Sequence, residues 1–254
     1  MISVISPAKT LCYDNNVNQS FSYPEFLNKS KKLIEILSKM KVNELSALMK
    51  TSEKISELNY QRFKNWNAKF DLNNSKQSIF VFKGDVYIGL DTNTLSEEDL
   101  KFSQQNLRIL SGLYGILRPL DLMMPYRLEM GTKLKNKIGK NLYDFWGDDI
   151  TENLNNTLSK HNDKTLVNLA SNEYFKSINK TKINAQIINP IFKDYKSGKY
   201  KIISFFAKKA RGLMSRFIIQ NRIDNHLNLK DFNMNGYCFS KSDSDKSNYV
   251  FLRK

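Results

Sequence analysis

Residues 195–223 read YKSGKYKIISFFAKKARGLMSRFIIQNRI. Ser197-Gly198 is a turn signal between two runs rich in Ile, Phe and Tyr, so 187–195 and 199–205 are predicted to pair as a β-hairpin. Beyond it the period changes to that of a helix. Phe206, Ala210, Leu213 and Phe217 recur at i, i+4, i+7 and i+11 and are expected to form its buried face. A hairpin that runs straight into a helix argues against a regular doubly wound parallel sheet, in which helices separate the strands.

The same stretch carries eight Lys or Arg and, between Asp194 and Asp224, no acidic residue. Lys208, Lys209, Arg211, Arg216 and Arg222 spread over the half of the helix opposite the expected buried face. Most charged helix faces are simply solvated, but such faces normally mix signs, because i,i+4 acid–base pairs support a helix and like charges weaken it. The one-sided charge here favours an anionic partner. Composition agrees: 40 Lys plus Arg stand against 25 Asp plus Glu, for a formal charge of +15. Lys, Asn and Ile are abundant throughout, as an AT-rich coding bias produces, so the clustering of charge outweighs its total. Arginine placement adds to this, since guanidinium forks onto phosphate oxygens where Lys acts as a point charge.

Working outward, Ile2–Ile5 reads as a buried strand, 24–40 as an amphipathic helix and 43–66 as two shorter helices. Residues 78–82 and 86–90 are predicted to pair as a hairpin around Lys83-Gly84-Asp85. Ser96 and Asp99 form a capping box that opens a helix running to Leu110. Residues 141–159 are helical and Thr165–Leu169 is a strand. At 254 residues and 41% hydrophobic content, without a linker or repeat, the chain is read as one domain over 1–254. The fold class is α+β (mixed α/β): a mixed sheet surrounded by helices.

The N-terminus has no basic region followed by an apolar core, and no apolar run approaches 18 residues, so a cytoplasmic protein without membrane contact is expected. Cys12 and Cys238 lie in no metal or redox spacing, and His161 and His226 are near neither a cysteine nor each other. No metal and no cofactor are expected, and the chain is read as a monomer.

Two turns are candidates for phosphate contact through backbone N–H groups. Leu110-Ser111-Gly112-Leu113-Tyr114-Gly115 brackets an apolar pair with Gly112 and Gly115, in the manner of the hairpin in a helix-hairpin-helix element; a plain helix stop at Gly112 fits equally. Residues 48–55 also join two helices and set Lys50 and Lys54 beside the turn, without glycine. Ser6-Pro7-Ala8-Lys9 follows the first strand and matches S-x-x-K, in which Lys activates a Ser nucleophile, but the partner motifs of that chemistry are missing. A strand-end loop whose Ser6, Lys9 and Thr10 donate to a phosphate or carboxylate is the better reading. Asp85, Asp121, Glu129, Asp148, Asp149 and Glu173 are the carboxylates available for Mg²⁺, at no diagnostic spacing.

The blocks MISVISPAKT, LMKTSEKISELNYQRFKNW, FKGDVYIGL, LRILSGLYGILRPLDLMMPYRLEMG, NLYDFWGD, NLASNEYFKSI and KIISFFAKKARGLMSRFIIQNR together resemble the YaaA family of bacterial peroxide-stress resistance proteins, in order over essentially the whole chain. The match is loosest around 160–165 and after Asn225. The resemblance implies a fold of its own, a positively charged cleft, a helix-hairpin-helix element and binding to duplex and branched DNA. It also implies a role in peroxide stress linked to lower free iron and to DNA repair by recombination. The two lines of reading meet on a cleft in which Lys208, Lys209, Arg211, Arg216 and Arg222, with Lys9 and Arg118 or Arg127 opposite, contact phosphates without reading bases. Tyr114, Tyr126 and Phe175 stack on unpaired bases or belong to the core. The alternative is an enzyme acting on a nucleotide or DNA with Ser6, Lys9, Asp85 or Glu173 in the same cleft.

Overall fold

The computed structural model describes residues 1–14 and 20–254. Its centre is an eight-stranded mixed sheet built from β1 (Ile2–Ile5), β2 (Leu107–Ser111), β3 (Gly115–Leu117), β4 (Thr165–Leu169), β5 (Gln186–Lys196), β6 (Lys199–Lys201), β7 (Cys238–Phe239) and β8 (Asn248–Arg253). The order is β7-β8-β5-β4-β1-β2-β3, with β6 paired to β5 alone. The strands β8, β5, β4, β1 and β2 run parallel, while β7, β6 and β3 add antiparallel pairings at the margins. All four residues of β1 and all five of β2 are buried, as strands covered on both faces require.

Around the sheet lie α1 (Leu27–Leu37), α2 (Val42–Met49), α3 (Glu53–Asn65), α4 (Ser78–Val81), α5 (Asp85–Leu90), α6 (Glu97–Asn106), α7 (Leu142–Trp146), α8 (Asp149–Leu158), α9 (Asn172–Phe175) and α10 (Ser204–Gln220). The capping box forms as read: Asp99 N–H bonds to Ser96 Oγ (3.1 Å) and Ser96 N–H to Asp99 Oδ2 (3.0 Å).

Four expectations give way. The helix opened by Ser96 stops at Asn106, and 107–111 pairs with β1 as strand, because the short run 107–110, apolar but for Arg108, carries no periodicity to separate the two states. The span 141–159 breaks at Gly147, whose φ of 50° leaves the helical region, into α7 and α8. The 78–90 hairpin is instead the two short helices α4 and α5, with Phe82–Lys83 between them pairing with Thr10–Leu11. Tertiary contact selects α5: a Cβ on Gly212 would lie 1.8 Å from Val86 O, and one on Gly89 2.2 Å from Lys209 O, so the backbones of α5 and α10 touch. That crossing also rotates α10. Its buried face is Ala207, Ala210, Met214 and Ile218, leaving Phe206 exposed and Leu213 and Phe217 half-buried.

Candidate nucleic-acid interface

β5 and β6 meet in a two-residue turn with Ser197 at φ 55° and Gly198 at φ 81°, both positive as the tightest hairpins require. The chain then enters α10 within a few residues, so the hairpin and the first turns of α10 are contiguous in the chain. Lys196, Lys199, Lys201, Lys208 and Lys209 stand there, and none has an ion-pair partner among the described residues. The adjacent acid, Asp194, is removed from the surface. Buried in β5, it accepts from Arg253 Nε (2.6 Å) and from the Tyr237 hydroxyl (3.0 Å).

Large apolar side chains are exposed in the same segment: Tyr195 at 52%, on the face of the β5–β6 ribbon opposite Lys196 and Lys199, Ile202 at 60% and Phe205 at 55%. Tyr195 packs edge-on against Tyr200 (ring centroids 5.3 Å), and Phe205 against Phe206 (5.6 Å), whose ring also carries the Arg253 guanidinium at 4.5 Å. Exposed aromatics in a cluster are more informative than scattered ones, because folding alone would bury them.

The arginines of the basic stretch fare differently from its lysines. Arg216 donates to the carbonyls of Leu90 (3.1 Å) and Asp91 (3.0 Å), capping the C-terminal end of α5. Arg222, past the end of α10, bonds to Asp99 Oδ1 (2.6 Å) and lies over the Phe102 ring. Burial pushes the Asp99 carboxyl up, but the hydrogen bonds from Arg222 and Ser96 outweigh it and hold its pKa below the ordinary value. Arg211 is half-buried, and burial lowers its pKa. The helix that seemed to tolerate uncompensated repulsion thus receives counter-charge and carbonyl partners from α5 and α6.

The second group surrounds the carboxyl end of β1, where the neighbouring strands β2 and β4 leave to either side, the crevice in which parallel sheets commonly hold ligands. Lys9 pairs with Glu129 (3.0 Å), which also accepts from Arg127 (3.1 Å). These three and Glu173 line a pocket of about 70 Å³ with Tyr126 and Tyr174. Glu129 and Glu173 also border an adjoining cleft of about 470 Å³, whose other wall is Ala47–Lys50 together with Gly131, Thr132 and Lys133. Lys9, Arg127, Glu173 and Lys50 are therefore brought together, and Lys133, which no sequence motif marked, joins them.

Lys50-Thr51-Ser52 links α2 to α3. Lys50 adopts φ 52°, ψ 52°, and the Thr51 N–H turns back to Ser46 O (3.3 Å), the left-handed stop that glycine usually supplies. Lys54 sits in the first turn of α3. The other candidate turn is not of this kind. Residues 112–114 join strands β2 and β3, and the whole segment is buried. Trp146 Nε1 donates to Gly112 O (3.1 Å), and its ring lies 2.7 Å from where a Gly115 Cβ would be, so this glycine pair serves core packing and offers no N–H to a phosphate.

Tyr114, Tyr126 and Phe175 are core residues. The Tyr114 hydroxyl accepts from Trp66 Nε1 (3.0 Å) and the Met124 N–H (3.1 Å), and Tyr126 is 2.5 Å from Ser111 Oγ. Arg118 lies elsewhere, bonded to Asp121 (3.0 Å) and Tyr23 O (2.8 Å). Ser6 does not meet Lys9: its hydroxyl donates to Ser171 Oγ (3.3 Å) and accepts from the Ser171 N–H (2.9 Å), tying β1 to the start of α9. Asp85 opens α5, whose preceding Gly84 is against Ala8, but lines neither pocket. Asp121, Asp148 and Asp149 are dispersed on Arg118, Lys182 and Lys29, and the described residues hold no group of three or more His, Cys, Asp or Glu placed to bind a metal ion. No helix among the described residues is long and apolar enough to cross a membrane.

A family model described as "Peroxide stress protein YaaA" matches residues 1–243. A UPF0246 protein of Shewanella baltica (strain OS185) is 51% identical over 255 residues, covering 100% of this chain and 99% of that protein. The chain therefore belongs to the YaaA family of peroxide-stress proteins.

Proposed function

We propose that this protein serves the peroxide response as a monomeric, cytoplasmic DNA-binding protein that contacts duplex and branched or unpaired DNA through phosphates and stacked bases, without sequence readout. The outcome would be protection of DNA from damage driven by peroxide and free iron. One observation carries the reading: residues 196–209 hold five lysines without ion-pair partners among the described residues together with exposed Ile202 and Phe205, next to exposed Tyr195, while the neighbouring acid, Asp194, is buried and bonded to Arg253. Lysines supply the sequence-independent attraction to phosphate, and exposed rings supply stacking on any unpaired base. Lys50 and Lys54 at the α2–α3 turn, with Lys133 in the same cleft and Lys9 in the adjoining pocket, form a second basic element that fits a phosphate backbone.

The test is equilibrium binding of labelled duplex, bubble and four-way-junction DNA over a salt series. Binding that weakens steeply with salt and is retained across unrelated sequences supports the reading; salt-insensitive binding, or none, rejects it.

A second reading draws on the convergence of Lys9, Glu129 and Glu173 on one pocket at the carboxyl end of β1. There an ammonium and two carboxylates could move a proton on a nucleotide or a DNA end. Its signature is turnover of a nucleotide or DNA substrate abolished by Glu173→Gln while DNA affinity persists. Ser6 has no part in it, since its hydroxyl is committed to Ser171.

A further inference from the structure

At the opposite end of the parallel strands, away from Lys9, a cavity of about 610 Å³ opens between the C-terminal end of α6, the start of β2 and the segment after α8. Arg108, the second residue of β2, lies on its wall and is only 4% exposed. One guanidinium nitrogen, Nη1, donates to the carbonyls of Gln104 (2.9 Å) and Leu107 (2.8 Å), which finish α6. Those bonds cap the helix but, among the described residues, give Nε no hydrogen-bond partner. That nitrogen is buried, and among the described residues no carboxylate pairs with this cation.

Neighbouring charge does not resolve the deficit. Arg118 is close enough to repel Arg108, and its own fork is taken by Asp121 and Tyr23 O. Asp121 and Glu25 attract Arg108 only at a distance, and burial, the largest effect, pulls its pKa down to about 10. Lys160 and His161, from the segment after α8, also line the cavity, as do the carboxylates Glu25, which is 3.8 Å from Arg118, and exposed Asp224. A buried charge without its counter-charge is among the costlier arrangements in a fold, and it persists where something else provides the missing partner.

We infer that this cavity binds a small phosphate-bearing anion, with the phosphate held between Arg108 and Lys160. Two cations suit a doubly charged oxyanion, and guanidinium with ammonium is a common phosphate pair. The volume admits a phosphomonoester up to the size of a mononucleotide, and Gln105 and Asn162 supply uncharged polar groups beside it. This site is separate from the lysines of α10 and from the β1 pocket, so it stands or falls independently of DNA binding.

The experiment is calorimetric titration of the full chain at low ionic strength with inorganic phosphate and with adenosine monophosphate. It is run on wild type, Arg108→Met, Lys160→Ala, and a Lys208→Ala/Lys209→Ala variant as a control for the basic surface. Expected is saturable binding of one equivalent, weakened about tenfold by Lys160→Ala, lost in Arg108→Met and unchanged in the control. Saturation by both ligands means that the phosphate group itself is the determinant; saturation by the nucleotide alone means that the rest of the molecule contributes. Because Arg108→Met also removes a helix cap, Lys160→Ala on the exposed wall keeps the test valid if that variant unfolds. Absence of binding by the wild type, equal binding by Lys160→Ala, or loss in the α10 control instead would overturn the assignment.

Discussion

Removing the lysines of the hairpin and α10 separates a DNA interface from a merely solvated face. In a Lys199→Ala/Lys201→Ala/Lys208→Ala/Lys209→Ala variant, each lost phosphate contact should flatten the log–log salt dependence by about 0.9, so four contacts change the slope by about 3.6. At 0.1 M salt each contact is worth about 0.9 log units, roughly 1.2 kcal/mol, and the four together about a 4,000-fold loss of affinity. None of the four has an ion-pair partner among the described residues, so the variant should keep its stability within about 1 kcal/mol, with relief of mutual repulsion offsetting lost stem packing. Fluorescence anisotropy of a labelled duplex between 50 and 300 mM salt reads the slope, and thermal unfolding reads the fold. A folded variant whose slope matches wild type would refute the placement. The paired counterpart is Arg216→Met/Arg222→Met, which should cost stability through α5, α6 and Asp99 while leaving the slope nearly unchanged.

Phe205→Ala and Tyr195→Ala should weaken bubble or single-stranded DNA by about 1–3 kcal/mol per stacked base and spare intact duplex, as competition binding would reveal. Lys50→Gly should move stability and binding in opposite directions: relief of the left-handed backbone adds about 0.5–1 kcal/mol, seen as a higher melting temperature, while DNA affinity falls. Gly212→Ala should lower stability by about 3 kcal/mol or more, since its Cβ would enter Val86 O at 1.8 Å; an unchanged melting temperature would contradict the α5–α10 crossing. For Asp99 the folded pKa lies below the ordinary 3.8, so its stabilisation is present above that value and is lost as pH falls through the folded value. The stability gap between wild type and Arg222→Met should therefore be widest near neutrality and close below about pH 3.8, which melting curves from pH 6 to 2.5 would test.

What the sequence determined by itself lies in short-range chemistry. Ser96 and Asp99 specify their own cap, Ser197-Gly198 specify their own turn, and Ile2–Ile5 is too apolar to lie anywhere but inside. The absence of acid between Asp194 and Asp224 is a sequence fact, and it marked the stretch that carries the five lysines without ion-pair partners among the described residues. Tertiary structure decided the rest, because those outcomes depend on partners far along the chain. The α5–α10 crossing, with Gly89 and Gly212 in backbone contact, turned α10 off its apparent apolar face and made helix of a segment read as one arm of a hairpin around Gly84. Arg216 and Arg222 look like free cations in a list of residues, yet the carbonyls of Leu90 and Asp91 and the carboxylate of Asp99 occupy them, since guanidinium takes whatever acceptors packing presents. Lysine, a hydrated point charge on a flexible stem, stays in water. For the same reason of long-range packing, Tyr114, Tyr126 and Phe175 are core while Tyr195 and Phe205 are surface: an aromatic ring is buried or left in water by what folds over it, which no local pattern encodes.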